Sequence, residues 1–255
     1  MNNENRTPIY IAGFPKSGTT FTTRLIGDAL NSPTGGSIPG QDHKEPASEG
    51  HDRPGKYVIR KGHFKILDGD PGTKSAVPRA HEIYIPKLSG GERVIFLVRD
   101  PRDICVSGSF YFNVPMKQYL NDLIHGTGKC RFFGGWREYV EKWIYTNTNY
   151  YQITTVRYED LVRQPYLTMT RILEVIEGEV KDENRLAEAI KRNRFDAMKK
   201  RVEREGDTMP LGMLQNKRLV RKGIVGDWRN HFTDEMNDLS WQHFGNIMKL
   251  LGYTR

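Results

Sequence analysis

The sequence predicts a three-layer α/β fold, with a mainly parallel central sheet between two layers of helices. The main observation is alternation: short apolar runs bounded by turn residues are followed by longer segments whose apolar residues recur at helical spacing. Length and composition agree, because 255 residues with 37% hydrophobic and 27% charged side chains suit a globular chain with a sizeable core. We expect a single domain over residues 1–255.

The strands are predicted from short runs of apolar and β-branched residues. The first run, 9–12, ends at Gly13 and leads directly into helical spacing at 19–30, so the chain opens with a strand, a loop and a helix. The later strands are predicted at 57–60, 93–98 and 152–158. Because each strand is followed by helical periodicity, the connections favour parallel pairing.

The later helices are predicted from apolar residues three and four positions apart. One begins after Asp100, since aspartate caps a helix and Pro101 suits its first turn. The others are predicted at 136–145, 159–176, 182–192, 195–205 and 234–251. The segments between them are interpreted as loops, at 32–56, 64–92, 113–133 and 206–226.

The charge of the chain indicates an anionic partner. The net charge is +8, and residues 191–222 alone hold eleven Lys or Arg against four Asp or Glu. Such an excess suits nucleic acid, a membrane surface or a multiply phosphorylated small molecule, although a solvated helix face explains it equally well. Cys105 and Cys130 lack metal or redox spacing, and no apolar run approaches a membrane span or a secretory signal. We therefore expect a cytoplasmic protein that does not bind membranes.

The loop between the first strand and its helix is typical of a phosphate-binding loop. Gly13 and Gly18 are separated by four residues, but Thr19 stands where a Walker lysine would be, and the lysine lies inside the loop at Lys16. An ATP-dependent kinase also needs a carboxylate that holds Mg²⁺, and Asp100 fits a helix cap better. The loop therefore favours transfer of a less charged group, such as sulfuryl; a kinase remains the alternative.

Five segments, in the family's order, resemble the cytosolic-type sulfotransferases, which use 3′-phosphoadenosine 5′-phosphosulfate (PAPS) as donor and release adenosine 3′,5′-bisphosphate (PAP). The segments are 15–20, 97–107, 158–161, 195–198 and 221–230. The last reads Arg-Lys-Gly-Ile-Val-Gly-Asp-Trp-Arg-Asn and is similar to the family's RKGxxGDWKN loop. The resemblance implies the P-loop-like sulfotransferase fold, with loop 13–20 at the 5′-phosphosulfate.

The same resemblance implies a donor site. Arg99 and Ser107 would bind the 3′-phosphate, Phe195 would stack on the adenine, and Phe21 stands where the family usually has tryptophan. The implied donor-binding residues are Pro15, Lys16, Ser17, Gly18, Thr19, Thr20, Phe21, Arg99, Ser107, Tyr158, Phe195, Met198, Arg221, Lys222 and Gly223. No metal is expected at this site.

The resemblance also implies the catalytic residues. Lys61-Gly62-His63 resembles the family's KTH segment, which makes His63 the general base. Lys16 would stabilise the leaving group, Lys61 would contact the sulfuryl oxygens, and Ser107 would hold Lys16 until the acceptor binds.

Three alternatives remain at this stage: a P-loop nucleotide or small-molecule kinase, a basic nucleic-acid-binding module without catalysis, and a sulfotransferase that has lost activity. The expected acceptor is the hydroxyl, or else the amine, of a small molecule that the loops shape, and no nucleic-acid partner is expected. The family's dimer segment KxxxTVxxxE corresponds to residues 229–238, where Asp234 replaces the valine, so monomer and homodimer stay open.

Overall fold

The computed structural model describes residues 6–35, 53–63, 93–145, 153–205 and 222–255. The strands are β1 Thr7–Gly13, β2 Tyr57–Gly62, β3 Arg93–Val98 and β4 Ile153–Arg157. The helices are α1 Thr19–Ala29, α2 Pro101–Phe112, α3 Met116–His125, α4 Trp136–Tyr145, α5 Tyr158–Arg163, α6 Pro165–Glu177, α7 Glu183–Arg192, α8 Phe195–Glu205 and α9 Asp234–Leu250. Short 3-10 helices occupy Gly128–Cys130 and Asp227–Asn230.

The four strands form one parallel sheet in the order β2-β1-β3-β4. From β1 the chain moves outward to β2 and then returns to the other side of β1 for β3, so the direction of winding reverses between β1 and β3. Ala12 is paired with Gly62, and Gly13 with Leu97, which brings the carboxyl ends of three strands to one edge. Ligands of open parallel sheets bind in the crevice at such a reversal.

Two apolar layers, one on each face of the sheet, confirm the predicted three-layer fold. On β3, Phe96 packs with α2, α3, α4 and α9, and its ring stacks on Trp143 at 4.9 Å. The next residue, Leu97, points to the opposite face and packs with α1, α5, α6 and α7. Because both faces are covered, the two central strands, β1 and β3, must be apolar on both sides, which is why they read as continuous apolar runs.

The prediction of one helix over 159–176 is wrong. Helix α5 ends at Arg163, and α6 begins at Pro165. Proline has no N–H to continue the helix and disfavours helical geometry in the residue before it. Accordingly, Gln164 has φ −133° and ψ 58°.

The prediction of a loop over 113–133 is also wrong, because this segment contains α3. Three α3 side chains, Tyr119, Leu120 and Leu123, are fully buried in the core that faces α2 and α4. Their spacing is helical. The segment is therefore part of the packed scaffold of the sheet.

The start of α2 is tied to the last described residues of the chain. Asp100 caps the helix as predicted, since its carboxylate accepts the Arg102 N–H at 2.9 Å. The buried Arg102 guanidinium pairs with Asp100, donates to the Thr254 carbonyl at 2.7 Å and lies 3.7 Å above the Trp228 ring. The carboxylate predicted to be a cap is thus fully engaged there.

Cys105 and Cys130 are buried free thiols, and burial raises the pKa of Cys130 to about 12, which makes it unreactive at neutral pH. Within the described ranges, every helix is too short or too polar to cross a bilayer.

Candidate active site

The loop after β1 folds tightly at the edge where the strands end. The Ser17 N–H donates to the Phe14 carbonyl at 3.1 Å, and both Lys16 and Gly18 have positive φ, at 72° and 96°. A Cβ at position 18 would lie 2.5 Å from the Tyr158 ring, so only glycine fits there. This conformation turns the chain directly from the strand into α1.

The beginning of α1 offers unsatisfied donors to an anion. Gly18 provides no side-chain cap, and the first turn contains no acidic residue, so the positive end of the helix dipole is not neutralised locally. The Ser17 hydroxyl is 0% exposed, yet no hydrogen-bond partner lies within reach among the described residues. A buried hydroxyl usually has a partner, and a phosphate or sulfate oxygen would supply it.

Arg99 leaves the end of β3 and crosses to the same loop. Its guanidinium donates to the Lys16 carbonyl at 3.0 Å and lies 4.4 Å from the centre of the Tyr158 ring. Its Nε atom is buried and lacks a partner within the described part of the chain. Phe21 meets the Tyr158 ring edge-on at 6.1 Å. The structure therefore brings together Arg99, Tyr158, Phe21 and loop 13–20.

Two further residues of the predicted donor site, Phe195 and Gly223, also lie close together. The Phe195 ring lies so close to Gly223, which has φ 64°, that a Cβ at position 223 would fall 2.3 Å from it. Met198, on the same helix as Phe195, is buried, and its sulfur lies 3.1 Å from the Arg24 guanidinium. The predicted residue Arg221 lies outside the described residues.

The segment that carries Lys222 and Gly223 is held by two buried aspartates. Lys222 Nζ lies 3.5 Å from Asp227 Oδ1. Asp103, near the start of α2, accepts the Gly226 N–H at 2.7 Å and the Trp228 N–H at 3.0 Å. Burial raises the pKa of Asp103, whereas Arg99 and the two N–H groups act to lower it. Sequence reasoning missed this role, because nothing local links an acidic residue in a helix's first turn to residues over 120 positions later.

The ring of His63 has a defined tautomer. Its Nδ1 lies 2.7 Å from the Gly13 carbonyl oxygen, which can only accept a hydrogen bond. Nδ1 therefore carries the proton, and Nε2 presents its lone pair. The Phe133 ring meets the imidazole edge-on at 5.5 Å. Burial, the largest cause, and the charges of Lys61 and Lys16 together lower the pKa of His63 to about 4, against the opposing effect of the Gly13 hydrogen bond.

The two predicted catalytic lysines have distinct neighbours. Lys61 donates to the Thr20 hydroxyl at 2.7 Å, which links β2 to the first turn of α1. Lys16 Nζ lies 3.7 Å above the Tyr111 ring, a contact that the sequence does not reveal. Ser107, half-buried on α2, precedes Tyr111 by one helical turn and lies on the same side of the helix. Side chains from three strand ends and α2 thus meet at one crevice.

The site is rich in cations and poor in metal ligands. Lys16, Lys61 and Arg99 converge on it, and the described residues contain no group of three or more His, Cys, Asp or Glu side chains close enough to share a metal ion. Pro15 and Thr19, which belong to the same loop, are buried. The arrangement suits a phosphate- or sulfate-bearing ligand next to a neutral base.

Comparison with known proteins identifies the family. A family model described as "Sulfotransferase domain" matches residues 84–252, which is more than half of the chain. The chain belongs to the sulfotransferase family. The sulfotransferase is 28% identical over 236 residues to the 3-alpha-hydroxysteroid sulfotransferase of Cavia porcellus, a match that covers 86% of this chain and 76% of the relative. Sulfotransferase 1A1 of Bos taurus is 23% identical over 261 residues, covering 94% of this chain and 83% of the relative.

Solved structures agree with the sheet and helices of the sulfotransferase. A crystal structure of mouse sulfotransferase SULT7A1 complexed with PAP superimposes with a TM-score of 0.67 at 21% identity, over 95% of this chain and 84% of the other. A retinol dehydratase in complex with retinol and PAP gives a TM-score of 0.61 at 17% identity, over 96% and 82% of the two chains. This likeness confirms the predicted sulfotransferase fold, and the family makes the chain a sulfuryl-transferring enzyme.

Proposed function

We propose that this enzyme transfers a sulfuryl group from PAPS to the hydroxyl, or else the amine, of a small molecule. One observation carries the proposal: the buried Ser17 hydroxyl lacks a partner among the described residues, at an uncapped helix end surrounded by cations, next to a neutral histidine. The unpartnered hydroxyl at the cationic helix end fits an anionic donor, and the neutral histidine fits a base for the acceptor. The mouse relative was crystallised with PAP, which supports the choice of nucleotide.

The donor's two ends would be held by different segments. Loop 13–20 would bind the 5′-phosphosulfate with the backbone N–H groups of α1 and the Ser17 hydroxyl. Arg99 is suited to the 3′-phosphate because its fork of donors matches a phosphate, with Ser107 nearby on α2. Phe21, Tyr158, Phe195 and Met198 would enclose the adenine, with Arg221, Lys222 and the Gly223 backbone at the 3′-phosphate. When bound, the donor supplies the electrophilic sulfur.

His63 would remove the acceptor's proton. Its Nδ1–H is engaged by the Gly13 carbonyl, so Nε2 keeps a lone pair for the acceptor's proton. As the acceptor oxygen bonds to sulfur, its proton passes to Nε2, and the Gly13 carbonyl stabilises the imidazolium that results. The lowered pKa ensures that the base is neutral before the reaction.

Lys16 would stabilise the leaving group. The sulfur–oxygen bond to the nucleotide breaks with its electron pair on the phosphate oxygen, and a lysine in the loop can neutralise that charge. Lys61, fixed by Thr20 at the mouth of the same loop, would neutralise the sulfuryl oxygens. A low-dielectric setting strengthens both effects.

The side chains near His63 favour a flat or apolar acceptor. Phe133 contacts the imidazole, and Phe14 packs edge-on against Phe133 at 6.1 Å. Tyr111 adds a further ring beside Lys16. The segments 36–52, 64–92 and 206–221, which include most of the loops expected to shape the pocket, lie outside the described residues.

A thermal-shift panel tests the proposed function. We expect PAP to raise the melting temperature at concentrations where ATP with Mg²⁺ raises it less and a DNA oligonucleotide leaves it unchanged, because a ligand stabilises the state that binds it. A larger shift with ATP and Mg²⁺ would support the kinase alternative. A shift with the oligonucleotide alone, reversed by salt, would support nucleic-acid binding. Transfer of radiolabelled sulfate to phenols, sterols, sugars and amines then identifies the acceptor.

The titration of His63 is a second test. We expect its imidazole to stay neutral down to about pH 5 and to become protonated with a midpoint of about 4. Bound PAP should raise this midpoint, because its negative charge offsets the nearby lysines and favours the imidazolium. Ring carbon–proton NMR signals measure this, and the His63→Asn variant assigns the signal among the seven histidines. A midpoint near the ordinary value of ~6.5 in the free enzyme would contradict the described environment.

A further inference from the structure

Asp103 connects two parts of the site that are far apart in sequence. Its carboxylate is 1% exposed, and each oxygen accepts a different backbone N–H, Oδ2 from Gly226 and Oδ1 from Trp228. The two hydrogen bonds, at 2.7 Å and 3.0 Å, have a carboxylate as acceptor, and a charged acceptor makes hydrogen bonds stronger than neutral ones. They fix the backbone of the segment 222–228 against the first turn of α2.

The anchored segment faces the donor site. Gly223, three residues before Gly226, is packed against the Phe195 ring, and Lys222 precedes it. On the other side, Asp103 is close enough to Arg99 for that guanidinium to lower the carboxyl pKa. Asp103 therefore lies near Arg99 and holds the segment that contains Lys222 and Gly223. The proposed function assigns Arg99, Lys222 and Gly223 to the 3′-phosphate, and Asp103 is not among the residues that would contact it.

We propose that Asp103 is a positioning residue that holds the segment 222–228 over the donor's 3′-phosphate and thereby sets the enzyme's preference for a 3′-phosphorylated nucleotide. The inference rests on the proposed function. Asp103 itself does not bind the donor, since its two carboxylate oxygens are used by backbone N–H groups. Its influence is transmitted through the backbone that it holds.

A positioning role and a purely electrostatic role of Asp103 predict opposite changes in PAP affinity when its charge is removed. Removing a negative charge beside Arg99 makes the site more positive, and Coulomb attraction alone would tighten the binding of the anionic PAP. Loss of the anchor would instead leave the Gly226 and Trp228 N–H groups poorly paired and let the segment move away from the donor. In Asp103→Asn the amide nitrogen must face one of the two N–H donors, so at least one hydrogen bond is lost.

The test compares PAP with AMP, which lacks the 3′-phosphate, by titration calorimetry. For Asp103→Asn we expect the PAP dissociation constant to rise about tenfold or more, the scale of one charge-assisted hydrogen bond, with AMP affinity retained. The matched control is Asp122→Asn: Asp122 is 4% exposed and accepts the Lys129 N–H and the Thr127 hydroxyl, both at 3.1 Å, in the turn after α3. It should leave the PAP-to-AMP ratio unchanged.

The outcomes separate the two proposals. If the unmodified enzyme binds PAP no more tightly than AMP, the proposed function fails. If the unmodified enzyme prefers PAP and a folded Asp103→Asn variant keeps or increases that preference, the role of Asp103 fails alone. Should Asp103→Asn not fold, the ratio is measured on Asp103→Glu, whose extra methylene prevents the carboxylate from meeting both N–H groups at their present distances; an unchanged ratio there also overturns the inference.

Discussion

Replacement of His63 by asparagine should reduce the turnover number at least ~10²-fold, the usual contribution of a general base. Asparagine is chosen because its amide nitrogen can still donate to the Gly13 carbonyl, the contact that His63 Nδ1 makes at 2.7 Å. The strand end is thereby preserved, and only the lone pair at Nε2 is lost. Sulfate transfer from radiolabelled PAPS to the acceptor found in the screen measures the effect, with PAP affinity expected to stay the same.

The control for this substitution is His125→Asn. His125 is exposed at the end of α3, and the centre of its ring lies 6.0 Å from that of His243. It is therefore an imidazole like that of His63, but it lies outside the proposed active site. Its loss should leave turnover unchanged. If His63→Asn retained normal turnover with donor saturating, the acceptor's proton would have to leave by another route, and His63 would be a structural residue.

Replacement of Lys16 by glycine should lower turnover by a similar ~10²-fold or more, because the charge that develops on the leaving oxygen would lose its cation. Glycine is the informative choice, since Lys16 has φ 72°, a conformation that is costly for any residue with a Cβ. The relief of that strain and the greater freedom of glycine in the unfolded chain roughly offset one another. The variant should therefore melt close to the unmodified enzyme while being nearly inactive.

The matched control is Lys117→Gly at an exposed position of α3, where the side chain pairs with Glu235. It should cost some stability, because glycine is a poor helix former and the ion pair with Glu235 is lost, and it should leave turnover intact. Lys16→Gly is thus expected to lose turnover and keep its stability, whereas Lys117→Gly is expected to lose stability and keep its turnover. A Lys16→Gly variant with normal turnover and normal PAP binding would exclude Lys16 from leaving-group stabilisation.

Most of the scaffold could be predicted because its signals are local. The strand at 93–98 and the helices at 136–145 and 195–205 have the predicted bounds, since apolar period and turn residues define them. Helix α3 shows the limit: its apolar spacing is helical, but spacing alone over so short a segment does not distinguish a helix from a loop. Pro165 interrupts an otherwise continuous amphipathic pattern, so the pattern alone predicts one helix where the structure has two.

The sequence predicts which strand ends form the candidate site, but it does not predict the side-chain contacts between them. Parallel strands bring their carboxyl ends to one edge, so loop 13–20, His63 and Arg99 had to meet. The side-chain contacts within that edge were not predictable, because they depend on rotamers and on distant segments. The position of Lys16 over Tyr111 and the hydrogen bonds of Asp103 to Gly226 and Trp228 are of this kind.

The contacts of Asp103 and Arg102 also bear on how the enzyme folds. They join residues 123, 125 and 152 positions apart, so large loops must close before these bonds can form. Contacts of such high sequence separation slow folding and form late. We therefore expect the proposed nucleotide site to be among the last regions completed during folding. Because a nucleotide would bind only after that step, its presence should shift the population of newly made chains toward the folded enzyme.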